Sequence, residues 1–207
     1  MRTKDEENEQ RQRQQILNVA WKLFYEKGYQ NTTMEDILQA ARCSKGRFYY
    51  YFHAKAELLD SLYEIFDQKY TELDERVDRE AHASDQLLEI NRYMFQFLSK
   101  EIGVELLTSL YISQLSDTTG ISFWGEKRAV RRILSAIVDR GQKLGQLTSG
   151  LTCGQIVADI IEEERSLLIS WCLAKGSYDL TEASMPKLER FYRSYGEDKK
   201  CETEKNG

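Results

Sequence analysis

Between Arg42 and Phe52 the chain carries three cations, Arg42, Lys45 and Arg47, three consecutive tyrosines, Tyr49, Tyr50 and Tyr51, and no acid. Guanidinium and ammonium groups bind phosphate oxygens and guanine edges, and tyrosine hydroxyls donate to phosphates. Gly46, among them, lets a partner approach the backbone closely. The set has the chemistry of a nucleic-acid contact. An aromatic-rich helix packed into a core is the alternative. Three successive tyrosines cannot all face one core, so some must be exposed.

Two short helices must position these groups. Met34, Ile37, Leu38 and Ala41 recur at i, i+3, i+4 and i+7, the spacing of one helical face. Thr33 and Asp36 form a capping box at its start, with Thr32 and Glu35 as a competing cap one residue earlier. A break follows at Arg42-Cys43. Ser44 can then cap a second helix with Phe48 and Phe52 on its inner side. Two short helices joined by about three residues form a helix-turn-helix, whose second helix enters the DNA major groove.

The run Ser44-Lys45-Gly46-Arg47-Phe48-Tyr49-Tyr50-Tyr51-Phe52-His53-Ala54-Lys55-Ala56-Glu57-Leu58 resembles the signature of the TetR family of transcriptional regulators. That family reads Ser-Lys-Gly-x-Leu-Tyr-x-x-Phe-x-x-Lys-x-x-Leu here. Upstream, Ile16, Leu17, Ala20, Leu23, Phe24, Gly28, Tyr29 and Thr33 stand in the expected order, so the likeness spans roughly residues 16–59. The resemblance implies a homodimer that binds a double-stranded operator and answers to a small-molecule effector, usually as a repressor. It carries DNA contact onto Thr33, Arg42, Ser44, Lys45, Gly46, Arg47, Tyr49, Tyr50, Tyr51 and Lys55. Two departures stand out. Arg42 replaces the usual glycine, which costs roughly 1 kcal/mol if the left-handed turn is kept; otherwise the turn differs and Arg42 becomes an extra contact. Ala54 replaces a capping side chain, typically worth about 1 kcal/mol.

The 207 residues carry a net charge of −5, which looks wrong for a DNA binder. The distribution resolves it. Residues 1–55 hold ten Lys/Arg against seven Asp/Glu, a net +3, and the remainder carries −8. Charge fields decay over about 8 Å at physiological salt, so the local balance governs DNA approach. One proline, twelve glycines and long amphipathic runs predict an all-α fold. The N-terminus lacks a signal-peptide apolar core and no run reaches the ~18 apolar residues of a membrane span, so a cytoplasmic protein is expected. Cys43, Cys153, Cys172 and Cys201 are far apart and the only histidines are His53 and His82. No metal site and no cofactor are expected. Cys43 reads as a buried hydrophobe, with a thiol switch as the alternative.

The expected organisation is a DNA-binding head over 1–55, an effector-binding and dimerisation body over 56–196 and a disordered tail over 197–207. A first helix spans about 10–27 after a polar, disordered start, with Ile16, Ala20, Leu23 and Phe24 inward and Leu17 and Trp21 flanking. A long helix starting near Lys55 carries Leu59, Leu62, Phe66, Tyr70, Leu73 and Val77. Ser84 is expected to cap the next, which runs through Lys100. A short helix with Leu106, Leu107, Leu110, Tyr111 and Leu115 follows. A helix over about 122–145 exposes Arg128, Arg131 and Arg132 as a solvated face. An eighth opens at 150–152 with Glu164 interrupting its apolar stripe. A ninth spans about 181–195, with Pro186 moving its start toward Met185.

Aromatic residues of the body, Tyr93, Phe97, Tyr111, Phe123, Trp124 and Trp171, are candidates to line an effector pocket, or to fill the core. Glu164 would bind a cationic or hydroxylated ligand, or pair with an arginine such as Arg165. The family places dimer contacts on the last two helices, here Ile156, Ile160, Leu167, Leu168, Leu188, Phe191 and Tyr192; a monomer core could use those faces too. Two other classes compete. A helical enzyme would use Glu162, Glu163 or Glu164, but no nucleophile–base pair, metal spacing or phosphate loop is present, and no catalytic residue is assigned. A helical adaptor would have lost DNA binding.

Overall fold

The computed structural model describes residues 4–116 and 128–196, and every regular element among them is helical. Three helices form the head: α1 (Lys4–Lys27), α2 (Met34–Ala40) and α3 (Lys45–Tyr51). Six more follow: α4 (Glu57–Asp74), α5 (Ala83–Phe97), α6 (Val104–Ser116), α7 (Ala129–Lys143), α8 (Cys153–Leu173) and α9 (Leu180–Arg193). α1 begins well before the expected position 10. Its first turns are mostly Glu, Gln, Lys and Arg, straight-chain residues that lose little freedom in a helix, with Asp5 and Asn8 among them. Ile16, Leu17, Ala20 and Phe24 are buried and Leu23 is only half-buried, so Leu17 rather than Leu23 belongs to the inner stripe.

α4 joins head to body. Its Leu59, Leu62, Phe66, Tyr70 and Leu73 are each at most 4% exposed, one buried face along the whole helix. It packs on α5 and α7, while α5 also lies against α9, and α8 is held by α6, α7 and α9. His82, rather than Ser84, caps α5, its Nδ1 accepting from the Ser84 amide at 3.2 Å. α5 ends at Phe97 and widens into a π-helical turn, Leu98–Ile102, closed by Gly103 at φ 80. α9 starts at Leu180, with Asp179 accepting from the Glu182 amide at 2.8 Å. Pro186 sits inside this helix on its exposed side, where the carbonyl left without a donor can be hydrated. Arg128 is not part of a solvated face. It is half-buried over the Tyr63 ring at 4.9 Å, donates to the Tyr63 carbonyl and pairs with Asp67 at 3.2 Å, tying the start of α7 to α4. No helix among the described residues is long and apolar enough to cross a membrane.

Candidate nucleic-acid interface

The reading helix is built from its neighbours' caps. Thr33 Oγ1 accepts from the Asp36 amide at 3.1 Å and Asp36 returns the bond to the Thr33 amide at 2.8 Å, the expected capping box. Lys27 adds an ion pair to Asp36 at 2.8 Å, and that partner first, then the Thr33 groups, holds the Asp36 carboxyl well below its ordinary range. Thr32 does not compete as a cap. It is buried and donates to the Gly28 carbonyl at 2.8 Å, closing the end of α1. After α2 the chain turns through Arg42 at φ 51, so the left-handed geometry is kept with an arginine in it, at about 1 kcal/mol. Ser44 then caps α3, accepting from the Arg47 amide at 3.2 Å. Phe48 and Phe52 are buried with Ile37, and this small core fixes α3 against α1 and α2.

The ten residues expected to contact DNA divide into three groups. Lys45, Gly46, Arg47 and Tyr49 lie exposed on α3, with Arg42 exposed just before it. Nothing comes within 4 Å of a side chain built on Gly46, so the backbone there is open. A second group is engaged in the head's own structure yet reachable. Thr33 and Ser44 hydroxyls serve as caps, and Tyr50, 66% exposed, donates to Glu9 at 3.1 Å. The Glu9 carboxylate also raises the Tyr50 hydroxyl above its ordinary pKa.

The third group turns inward. Tyr51 is half-buried and donates to Gln12 of α1 at 3.0 Å. Lys55 departs most from expectation. Its ammonium donates to the Tyr29 and Thr32 carbonyls, both at 2.9 Å, and rests 4.2 Å over the Tyr29 ring. Desolvation lowers its pKa. Lys55 therefore clamps the α1–α2 turn to the start of α4. A phosphate would have to compete with two carbonyls already in place. The sequence carries no sign of this, because those carbonyls lie 26 and 23 residues away.

The body hides its polar chemistry. Glu164 is 2% exposed on α8, and its Oε1 has no hydrogen-bond partner among the described residues. Asn91 of α5 donates to the Leu87 carbonyl at 2.9 Å and to the Tyr192 hydroxyl of α9 at 2.7 Å. Burial pushes the Glu164 carboxyl up to about 8, with a hydrogen bond from Asn91 pulling the other way. Burial likewise raises the Tyr70, Tyr111 and Tyr192 hydroxyls, each within electrostatic reach of Glu164. Of the expected pocket residues, Glu164 and Tyr111 are thus both buried within electrostatic reach of each other. Tyr93 is 46% exposed on α5, so it does not join them. Phe97 packs edge-on to Phe66, and Trp171 is 5% exposed with its indole donating to the Tyr178 carbonyl. Phe123 and Trp124 lie outside the described residues. A separate cavity of about 580 Å³ opens where the head's turn at Gly28–Asn31 meets α6 and the end of α8.

The expected dimer residues need correction. Ile156, Ile160, Leu167, Leu168, Leu188 and Tyr192 are all at most 5% exposed within one chain, because α5, α6 and α7 already cover them. Phe191 alone is half-buried, stacked on Tyr192 and Tyr195. The outward face of α8 instead carries Glu162, Ser166, Ile169 and Leu173.

The family model for bacterial regulatory proteins of the tetR family matches residues 16–62, which hold the whole helix-turn-helix. The chain is 25% identical over 179 residues to the fatty acid metabolism regulator protein of Bacillus subtilis (strain 168), covering 84% of this chain and 91% of that one. It is 40% identical over 83 residues to the HTH-type transcriptional regulator TtgR of Pseudomonas putida, 37% of this chain and 39% of that one. Among solved structures, Thermus thermophilus FadR, a TetR family repressor in complex with lauroyl-CoA, superposes with a TM-score of 0.74 at 18% identity, over 94% of this chain and 100% of that one. Bacillus subtilis FadR in complex with stearoyl-CoA gives 0.66 at 22%, over 86% and 97%. The helix-turn-helix over residues 16–62 is the DNA-binding domain of the tetR family of bacterial regulatory proteins, and the chain as a whole is similar to TetR-family transcriptional regulators.

Proposed function

We propose that this protein is a homodimeric repressor that binds a near-palindromic operator and is released by a small-molecule effector. The observation that carries the reading is the acid-free exposed face of Lys45, Gly46, Arg47 and Tyr49 on a helix held from behind by Phe48 and Phe52. Residues 1–55 act as the reading head, and 56–196 as the body that binds effector and partner. Two heads of a dimer would read half-sites about 34–36 Å apart on one face of the DNA. The pairing surface is the outward side of α8, where Ile169 and Leu173 are 36% and 79% exposed, together with neighbouring α9. The effector is a fatty acyl-CoA, the ligand class of the FadR structures that this chain resembles. A ligand that prefers a body with the wrong head spacing weakens operator binding, and the operator weakens ligand binding by the same factor.

Selection of bound fragments from genomic DNA by the purified protein tests the reading. Enrichment of a near-palindrome, lost on Lys45→Ala, is the expected result. No enrichment over that control would remove the regulator reading in favour of an adaptor. For the effector, one observation favours a second chemistry. The unpartnered oxygen of Glu164 among three tyrosines suits a ligand with a hydrogen-bond donor or an amine better than a plain acyl chain. Operator release by lauroyl-CoA and by dodecylamine, compared on one duplex, separates the two.

A further inference from the structure

The turn between α2 and α3 holds a second feature besides its strain. A notch of about 150 Å³, the space of about five waters, opens between this turn and α1. Arg42, Cys43 and Arg47 line it on one side, and Gln12 and Gln15 of α1 on the other. Neither Arg42 nor Arg47 has an ion-pair partner among the described residues. Gln12 already accepts the Tyr51 hydroxyl through its oxygen, which leaves its amide N–H groups as donors. Two guanidiniums and amide donors around one small opening match a tetrahedral anion, and no carboxylate lines the opening. A backbone held in a sparsely populated region at such a place points to a function for the side chain it carries.

We propose that this notch seats one phosphate of the operator backbone, with Arg42 and Arg47 as paired clamps and Gln12 and Gln15 as further donors. The proposal rests on the regulator reading above and adds where the reading helix is anchored. Arg42 holds the turn in register on the duplex rather than reading a base. The first helix of the head is then a part of the DNA contact as well as its support. Retaining arginine at a left-handed position, where glycine is free of strain, follows from that contact.

The test uses the full-length protein and a duplex obtained by the selection described above. Arg42→Gly should melt at or above the wild-type temperature, since the left-handed strain is gone. Its affinity for the duplex should fall roughly tenfold or more at 0.15 M salt, the loss of a charged hydrogen-bonded contact. The slope of log affinity against log salt should become shallower, by up to about 1.8 for a dimer that makes the contact in both half-sites. A set of duplexes, each with one neutral methylphosphonate, then locates the contact. One position should weaken the wild type most, and Arg42→Gly and Arg47→Gln should each respond less at that same position than the wild type does. An unchanged salt slope, or methylphosphonate effects identical in wild type and Arg42→Gly, overturns the seat and leaves the regulator reading standing. A wild type that shows no preference for the selected duplex over a scrambled one removes both.

Discussion

Head and body solve opposite problems with polar groups. In the head, the caps of α2 and α3 close locally, Thr33 with Asp36 and Ser44 with Arg47, each three residues apart, while Tyr50 and Tyr51 bond back to α1. Local closure leaves Lys45, Arg47 and Tyr49 outward for a partner. In the body, polar groups meet from far apart in sequence. Asn91 bonds to Tyr192 across 101 residues, and Glu164 is buried among groups from α4, α5, α6 and α9. The head is thus a surface prepared in advance for a charged polymer. The body carries an unmet polar demand inside, the condition under which a small ligand has most effect on packing.

The largest expected effect tests whether the two regions are separable. Phe48→Ala removes a fully buried ring from the head core and should cost about 3–5 kcal/mol. Hydrogen exchange would be read on amides of α2 and α3 against those of α8. Loss of protection confined to the head sharpens the contrast, whereas equal loss in α8 means that one cooperative unit spans both.

The next effect belongs to the body. The folded value for Glu164, about 8, lies above the ordinary unfolded carboxyl value of ~4.3. Between those limits the folded state holds a proton that the unfolded state has released. Stability is therefore full below the lower limit and falls as pH rises toward 8, by about 1.4 kcal/mol per unit. The groups facing Glu164 do not blur this window. Tyr70, Tyr111 and Tyr192 are all raised above 10, and Asn91 does not titrate. Urea midpoints at pH 5.5, 6.5, 7.5 and 8.5 should descend in the wild type and stay level in Glu164→Gln. A wild type that is flat across that range contradicts the buried carboxyl.

The head was legible because its signals are local. A capping box, a helical stripe and a cation–tyrosine run each fit inside a window of about a dozen residues, and each appears in place. Arg42 in a left-handed turn could be stated from the sequence, though only the structure decides that the geometry is kept. The body was legible in outline alone. Periodicity found the stripes of α8 and α9 but could not tell which neighbour each stripe meets; the family likeness puts Ile160 and Leu188 at a dimer contact, and at 0% exposure they fill the monomer core, the alternative that the stripes left open. Lys55 shows the same limit within the head, because a side chain that reaches back 26 residues leaves no pattern.

Lys55 sets a smaller and more specific test. Lys55→Met removes two ammonium–carbonyl bonds and should lower stability by about 1.5–3 kcal/mol. As an internal clamp it should leave the salt slope of operator binding unchanged. Lys45→Ala, on the exposed face, should instead flatten that slope by about 1.8, one phosphate in each half-site, with little change in melting. A reversal of the two results would return Lys55 to the role of a phosphate contact.

The smallest effect is the sharpest comparison, since head and body contain the same device. Thr33 with Asp36 opens α2, and Thr152 with Gln155 opens α8, both as reciprocal capping boxes. Each Thr→Ala change should cost about 1 kcal/mol. The helices differ in what else holds them. α2 has 7 residues and one fully buried side chain, whereas α8 has 21 residues and packs along its length. A frayed first turn on α2 shifts the platform beneath α3, so Thr33→Ala should weaken operator binding by more than its stability loss explains. Thr152→Ala should lower the melting temperature by about 2–4 °C and leave operator affinity unchanged. Equal effects of both variants on affinity would mean that the body's end at α8 is coupled to the head as tightly as the head's own helices are, and the division between the two regions would fail.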